Sequence, residues 1–399
     1  MNKKILIIVG LLAIVTSFIP TGYAYAADFS PIQGVVGIEV TVSGLDDGVT
    51  FDVLWDDVSI QEGIASSTGY VKFYVPEAYA GEHTVKIEQP SGHQVFSGTY
   101  TVVPNIAINP ISGSSGTVIT VTGHGFAKNE ADVAVTYDGV NVSTGISADE
   151  EGFWTTTFNA PNSSKGNHAV DASGATTKGS DVTDKNFAVS PVVTSEPISG
   201  GVGTVITVKA SGFAPTEGSI KVLYSGKEVR TGITADANGA WTTSFTIPNS
   251  TKGSHVIDVQ GTTTASNEVA DMVFTVSPTV SINPTSGSVE DEIVVSGSGF
   301  TNNETTIEVT FDGKTIARNI TADDNGAWTV TTKVPAVSSG THIVGAFGRI
   351  TPTSDVMTVT FTTQSVLTVV PKTGNVGDEL RVTGTGFNAG KDLFFITKF

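Results

Sequence analysis

Four of the six histidines, His83, His168, His255 and His342, recur at one position of a repeating pattern. Imidazole is the commonest metal ligand and moves protons near neutral pH. Zinc, however, needs three or four ligands about 2.0–2.3 Å from one point. One histidine per unit, with units strung along the chain, does not converge on such a point. The opposing reading is a partly buried, hydrogen-bonded histidine in each unit. Three acidic turns also align: Asp149-Glu150-Glu151-Gly152, Asp236-Ala237-Asn238-Gly239 and Asp323-Asp324-Asn325-Gly326. Alternating oxygen side chains ahead of a glycine are how a calcium loop opens, so Asp149, Glu151, Asp236, Asn238, Asp323 and Asn325 are calcium candidates at module joints. Calcium takes six to eight oxygens, and no acidic residue follows at the spacing of a closing bidentate ligand. A hairpin turn that uses Asp and Asn for positive φ is the competing reading.

Trp154, Trp241 and Trp328 share one repeat position and could stack on sugar rings. Their place among inward-facing strand residues favours the core instead. Asn-x-Ser/Thr acceptor triplets for N-glycosylation occur at Asn141, Asn162, Asn249, Asn303 and Asn319. The segments Gly123-His124-Gly125 and Gly384-Thr385-Gly386 lack the Lys-Ser/Thr of a phosphate loop and suit bulged turns. There is no Gly-x-Ser-x-Gly elbow, no His-Glu-x-x-His and no converging carboxylate pair. The absence of cysteine removes disulfides, thiolate metal sites and a thiol nucleophile. The expectation is a protein that is not an enzyme, with no catalytic residue and no cofactor beyond candidate calcium.

The elements that must carry these residues repeat at a fixed length. Pro-x-Ser/Thr-Gly begins at Pro110, Pro197, Pro284 and Pro371, each step being 87 residues. Gly125-Phe126, Gly212-Phe213, Gly299-Phe300 and Gly386-Phe387 keep the step, as do the tryptophans and Pro161, Pro248 and Pro335. A divergent copy lies upstream, where Pro31, Gly34, Gly37, Pro76, Gly81 and His83 match and Val71 stands near the tryptophan position. The modules are therefore 27–104, 105–191, 192–278 and 279–365, with a further start at 366–399. Within a module the apolar period is two, as half-buried strands require. Ile119 and Val121 face inward, like Ile206 and Val208 or Ile293 and Val295, whereas the outer position drifts from Val118 to Val205 to Glu292. Val133, Val135 and Tyr137 form a second inward row. Two such apolar faces must meet, which predicts an all-β fold of two-sheet sandwiches. Proline-marked, very short linkers predict an elongated rod of roughly 150 Å for four modules.

Composition agrees. The 399 residues include 44 Gly and 16 Pro and carry a formal charge of −18, with only 15% charged residues. Such a chain repels phosphate, so nucleic acid is not an expected partner. Residues 1–26 read as a secretory signal: Lys3 and Lys4, an apolar run from Ile5 to Ile19, Pro20, and the small-residue site Ala24-Tyr25-Ala26. The run is short for a membrane span, which needs about 20 residues. The competing reading is an uncleaved N-terminal anchor.

The run Ile-Asn-Pro-x-Ser-Gly, then Gly-x-Gly-Phe, Asp-Gly, Asn-Gly-Ala-Trp, proline and Gly-x-His resembles the IPT/TIG family of immunoglobulin-like modules. Pro284, Gly287, Gly297, Gly299 and Phe300 carry the match most clearly; it covers 105–399 well and 28–104 weakly. The resemblance implies tandem immunoglobulin-like sandwiches and, in an exported prokaryotic protein, a stalk, spacer or adhesion role without catalytic residues. The expected location is secreted or cell surface. The expected partners are extracellular protein or polysaccharide surfaces, with membrane contact only through the signal segment or a C-terminal anchor. The alternatives are glycan- or polymer-binding modules, or the accessory arm of a larger secreted enzyme. Recognition of glycan would call for exposed aromatics in one module, and Trp55, Tyr70, Tyr74, Tyr79 and Tyr100 single out the first. Leu393 to Phe399 fall inside a strand, which reads as the start of a truncated module.

Overall fold

A computed structural model describes residues 27–388. The signal segment 1–26 and the stretch Leu393–Phe399 lie outside the described residues. Two compact units are distinguished. Among the described residues, one comprises 27–109, Thr120–Phe158 and Ala169–Lys185; the other comprises Pro110–Ile119, Asn159–His168 and 186–388.

In the first unit, the first module pairs a three-stranded sheet (Asp28–Ser30, Glu39–Ser43, Tyr70–Tyr74) with a five-stranded one. The latter runs in the order Gln33–Gly34, Gln94–Val102, Gly81–Glu88, Thr50–Trp55 and Val58–Ala65. Alternation puts Val40, Val42, Phe51, Val53, Val71, Phe73, Val85 and Ile87 between the sheets, all essentially without solvent contact. Val42 lies across from Val71, as Ala210 lies across from Trp241. Val71 is thus the counterpart of the tryptophan. The second module contributes to this unit the antiparallel pairing of Thr120–His124 with Asn105–Asn109, and of Val133–Tyr137 with Val140–Ile146.

In the second unit, the third module repeats the same order. Val192–Glu196, Val205–Ser211 and Trp241–Thr246 form the smaller sheet. Ser199–Gly200, Met272–Val276, Gly253–Gln260, Ile220–Tyr224 and Lys227–Ile233 form the larger. The fourth module does the same with every strand about 87 residues further on. Each interior is one apolar cluster, with Ile206, Val208, Phe213, Ile220 and Val222 answered by Ile293, Val295, Phe300, Ile307 and Val309. At about 25 cal/mol per Å² of apolar surface removed from water, this burial drives the two faces together. The expectation of an all-β, repeated immunoglobulin-like sandwich is met.

Adjoining modules touch through a repeated backbone contact. The Lys165 N–H donates to Phe213 O at 3.1 Å and the Lys252 N–H to Phe300 O at 3.2 Å. The Lys165 ammonium then bonds Thr263 O and Glu268, and the Lys252 ammonium bonds Ile350 O and Asp355. In the first unit Ala80 makes the backbone contact to Phe126 O, and Glu77 meets His124 at 2.9 Å.

The Gly-Phe pairs and the acidic turns, far apart in sequence, meet in space. The N–H groups of Phe126, Phe213 and Phe300 donate to the carbonyls of Gly152, Gly239 and Gly326 at 3.0–3.1 Å. Each of these glycines has φ between +73° and +77°, and a Cβ there would stand 2.0–2.2 Å from the phenylalanine carbonyl oxygen. No other residue satisfies both demands. Gly326→Ala is therefore expected to destabilise the fourth module by about 3 kcal/mol or more, combining left-handed strain with a backbone clash. Gly313→Ala, at φ +77° with open space around it, should cost about 1–2 kcal/mol. Denaturant unfolding of the two variants checks the difference.

Candidate functional site

The acidic turns are closed by their own first residue. Asp149 Oδ1 accepts the N–H groups of Glu151 and Phe153 at 3.0 and 2.8 Å. Asp236 does the same for Asn238 and Ala240, and Asp323 for Asn325 and Ala327. One oxygen of each lead aspartate is thus turned to the backbone. Among the described residues, no group of three or more His, Cys, Asp or Glu side chains is placed to hold a metal ion.

Three of the repeat histidines, His83, His255 and His342, sit beside hairpin turns. His83 lies 2.6 Å from Asp56 and 2.7 Å from Tyr79 O, and His342 lies 2.6 Å from Asp312 and 2.9 Å from Ser338 O. His168 and His255 contact Ser164 O and Thr251 O. The His342 hydrogen bond, with a second from the Ile343 N–H, holds the Asp312 carboxyl below the usual aspartate range. Trp154, Trp241 and Trp328 are core residues, each edge-on to the phenylalanine of the Gly-Phe pair with centroids 5.2–5.5 Å apart. The acceptor asparagines Asn141, Asn162, Asn249, Asn303 and Asn319 are all exposed.

A buried acid was missed in the sequence. Glu130, Glu217 and Glu304 are almost wholly buried. Glu304 accepts from the backbone N–H groups of Thr301, Ile350 and Thr351 and from the Thr351 hydroxyl, at 2.6–3.2 Å. Glu130 and Glu217 repeat the pattern with Thr177 and Thr264. Burial alone would raise these carboxyls. The hydrogen bonds, led by the threonine hydroxyl, outweigh it and hold all three below the usual glutamate range. The signal was available in the sequence: both glutamate and threonine keep the 87-residue step while acids on the outer faces drift.

The aromatics of the first module divide. Trp55 and Tyr100 are core residues, which corrects the expectation that they are exposed; alternation along Thr50–Trp55 and Gln94–Val102 turns them inward. Burial pushes the Tyr100 phenol up to about 12. Tyr70 and Tyr74 are 48% and 65% exposed, on the outer side of one strand, with Lys72 between them. Tyr79 is at the margin of exposure and packs against His83. Lys72 is held by Glu39 at 2.7 Å, which raises its ammonium above the usual lysine range. Beside Tyr70 an open groove is lined by Thr41, Ile64, Ser67, Thr68 and Lys72. In the later modules the positions of Lys72 and Tyr74 are Thr155 and Thr157, Thr242 and Ser244, and Thr329 and Thr331.

Replacing the carboxylate while keeping its shape tests the buried acid. Glu304→Gln is expected to lower stability by about 1.5–3 kcal/mol at neutral pH, the scale of hydrogen bonds to a charged group. Because the folded carboxyl titrates below its unfolded value near 4.3, the stabilisation is present above that value and lost as pH falls through the folded one. The difference between wild type and variant in denaturant unfolding should therefore shrink towards acid.

The IPT/TIG domain model matches residues 106–186 and 278–356. No curated protein matches the chain. Among solved structures, one similar chain is the SGBP-B protein of the Bacteroides ovatus mixed-linkage glucan utilization locus, solved with a mixed-linkage heptasaccharide. It is 16% identical, with 66% of this chain and 71% of that chain covered and a TM-score of 0.25. Another is the central fibronectin-III array of RIM-binding protein, 12% identical, with coverages of 66% and 97% and a TM-score of 0.21. A third is the BSP domain of a biofilm associated protein, 12% identical, with coverages of 85% and 96% and a TM-score of 0.18. The two matches place IPT/TIG domains at the second and fourth modules, within an array of repeated immunoglobulin-like sandwiches that share the Gly-Phe and tryptophan contacts.

Proposed function

We propose that this chain is an extracellular adhesion protein that recognises polysaccharide through the outer face of its first module, the later modules serving as spacers. The observation that carries the reading is the pair of exposed rings of Tyr70 and Tyr74 on one strand. Four strand steps separate them by about 13 Å, the span of an oligosaccharide rather than one sugar. Tyrosine offers an apolar ring with a polar tip at small cost in side-chain freedom, which suits a sugar's apolar face and its hydroxyls. Lys72 is already neutralised by Glu39, so the face favours an uncharged polymer. The spacer role of the later modules rests on their Thr and Ser outer positions and on interiors that repeat in register. Export rests on the reading of residues 1–26.

Sedimentation of the full chain with a panel of insoluble neutral polysaccharides tests this. At least one should retain the wild type. Tyr70→Ala/Tyr74→Ala should weaken retention by about tenfold or more, equivalent to about 1.4 kcal/mol, while Thr242→Ala/Ser244→Ala should not change it. A wild type that binds none of the panel, or a double variant that binds undiminished, sinks the proposal.

A further inference from the structure

In three modules the hairpin turn begins with an aspartate that ties it to the neighbouring strand. Asp56, Asp138 and Asp312 each accept, through Oδ1, a backbone N–H from the strand carrying the repeat histidine: Thr84, Ala169 and Ile343, at 2.8–2.9 Å. Asp56 and Asp312 also meet His83 and His342 through Oδ2 at 2.6 Å. The third module departs from this pattern. Ser225 stands at the aspartate position, and its hydroxyl lies 3.0 Å from His255 Nδ1. A hydroxyl brings one oxygen where a carboxylate brings two. The Val256 N–H, the counterpart of the Thr84, Ala169 and Ile343 donors, thereby loses the carboxylate those three have.

The shorter side chain opens onto a groove of about 230 Å³ whose lining includes Ser225, Lys227, Asn249, Thr251, His255 and Asp324. The His255 ring is fixed on both sides. It stacks on Tyr224 with centroids 5.2 Å apart, and its Nε2–H is committed to Thr251 O at 2.7 Å. Its Nδ1 therefore points at Ser225 and the groove. Asp324 has one oxygen engaged by the Asn303 side-chain amide at 2.8 Å.

We propose that this groove binds an acidic sugar, a uronic acid residue, whose carboxylate sits on the groove side of Ser225 and reaches the donors that aspartate serves in the other modules. One carboxylate oxygen accepts from the Val256 N–H. The other accepts from His255 Nδ1, which takes a proton from solvent on binding, since Nε2–H is already used. The Ser225 hydroxyl turns from Nδ1 to donate to the same carboxylate. Lys227 supplies a positive charge at the rim, and the amide of Asn249 and the hydroxyl of Thr251 are placed for sugar hydroxyls. The volume suits one ring rather than a chain. The charge of Asp324 selects against dianions such as phosphate. This site does not depend on the tyrosine face of the first module, which takes an uncharged ligand.

The test uses the full chain made without N-glycosylation, because Asn249 is an acceptor site that lines the groove. The imidazole resonances of His255, assigned with His255→Gln, are followed during titration with glucuronate, acetate, glucose and inorganic phosphate. Glucuronate should shift them saturably, acetate and phosphate more weakly, and glucose not at all. Ser225→Asp restores the arrangement of the fourth module, so it should fold, melt higher than wild type and lose the glucuronate response at least tenfold. Lys227→Gln should weaken the response several-fold. No shift with glucuronate, or a response undiminished in Ser225→Asp, overturns the proposal. An equal response to acetate overturns its assignment to a sugar.

Discussion

A carboxylate taken out of water has to be given hydrogen bonds, and the second to fourth modules are tied together around that requirement. Glu130, Glu217 and Glu304 each gather donors from their own loop and from a segment about 46 residues further on. An unpaired buried charge would cost several kcal/mol, so the two segments are held together by the penalty for separating them. The main-chain carbonyl of the same glutamate accepts from Ala148, Ala235 or Ala322, just ahead of the acidic turn. One residue thus fixes three stretches that are remote in sequence. The first module manages without this acid. Ser66 is buried there and donates to Asp46 O.

Around this tie the interior is specified tightly and the exterior loosely. The Gly-Phe pair, the tryptophan and the turn glycine form one contact set in which each member leaves room for another. The tryptophan ring lies so close over Gly123 and Gly297 that a Cβ there would meet it at 2.1–2.2 Å. In the third module Ala210 occupies the position and the ring still packs edge-on to Phe213, so this contact yields to small adjustments. The turn glycines face backbone, which cannot move aside, and all three copies keep glycine. The outer faces and hairpin turns carry no such constraint; there the first module has Tyr70 and Tyr74, and the third has Ser225 where the others have aspartate. Distinct surfaces on a common interior are how repeated modules acquire separate roles.

Much of this was legible in the sequence. The 87-residue step and the period of two were enough for the sandwich, the core rows and the burial of the tryptophans, because a strand with one wet face must alternate. Exposure of individual aromatics was not legible. Trp55 and Tyr74 both lie in or beside apolar alternation, and only the position of the opposite sheet decides which is covered. The buried glutamates were missed because a charged residue in a turn-rich segment reads as solvated. The threonine that pairs with each of them lies 47 residues away. That the lead aspartate of each acidic turn gives Oδ1 to the backbone was likewise not legible in the linear pattern.

What the sequence determined by itself was therefore what depends on local pattern: strand periodicity, module length, the positions of turns and the family resemblance. What only the tertiary structure decided was what depends on pairs remote along the chain. These are the four donors on each buried glutamate, the glycine beneath each phenylalanine carbonyl, the exposed tyrosine face, and the groove opened where one aspartate is a serine. The physical reason is that a hydrogen bond or a packing contact is set by distance in space, and a linear pattern carries distance only between near neighbours.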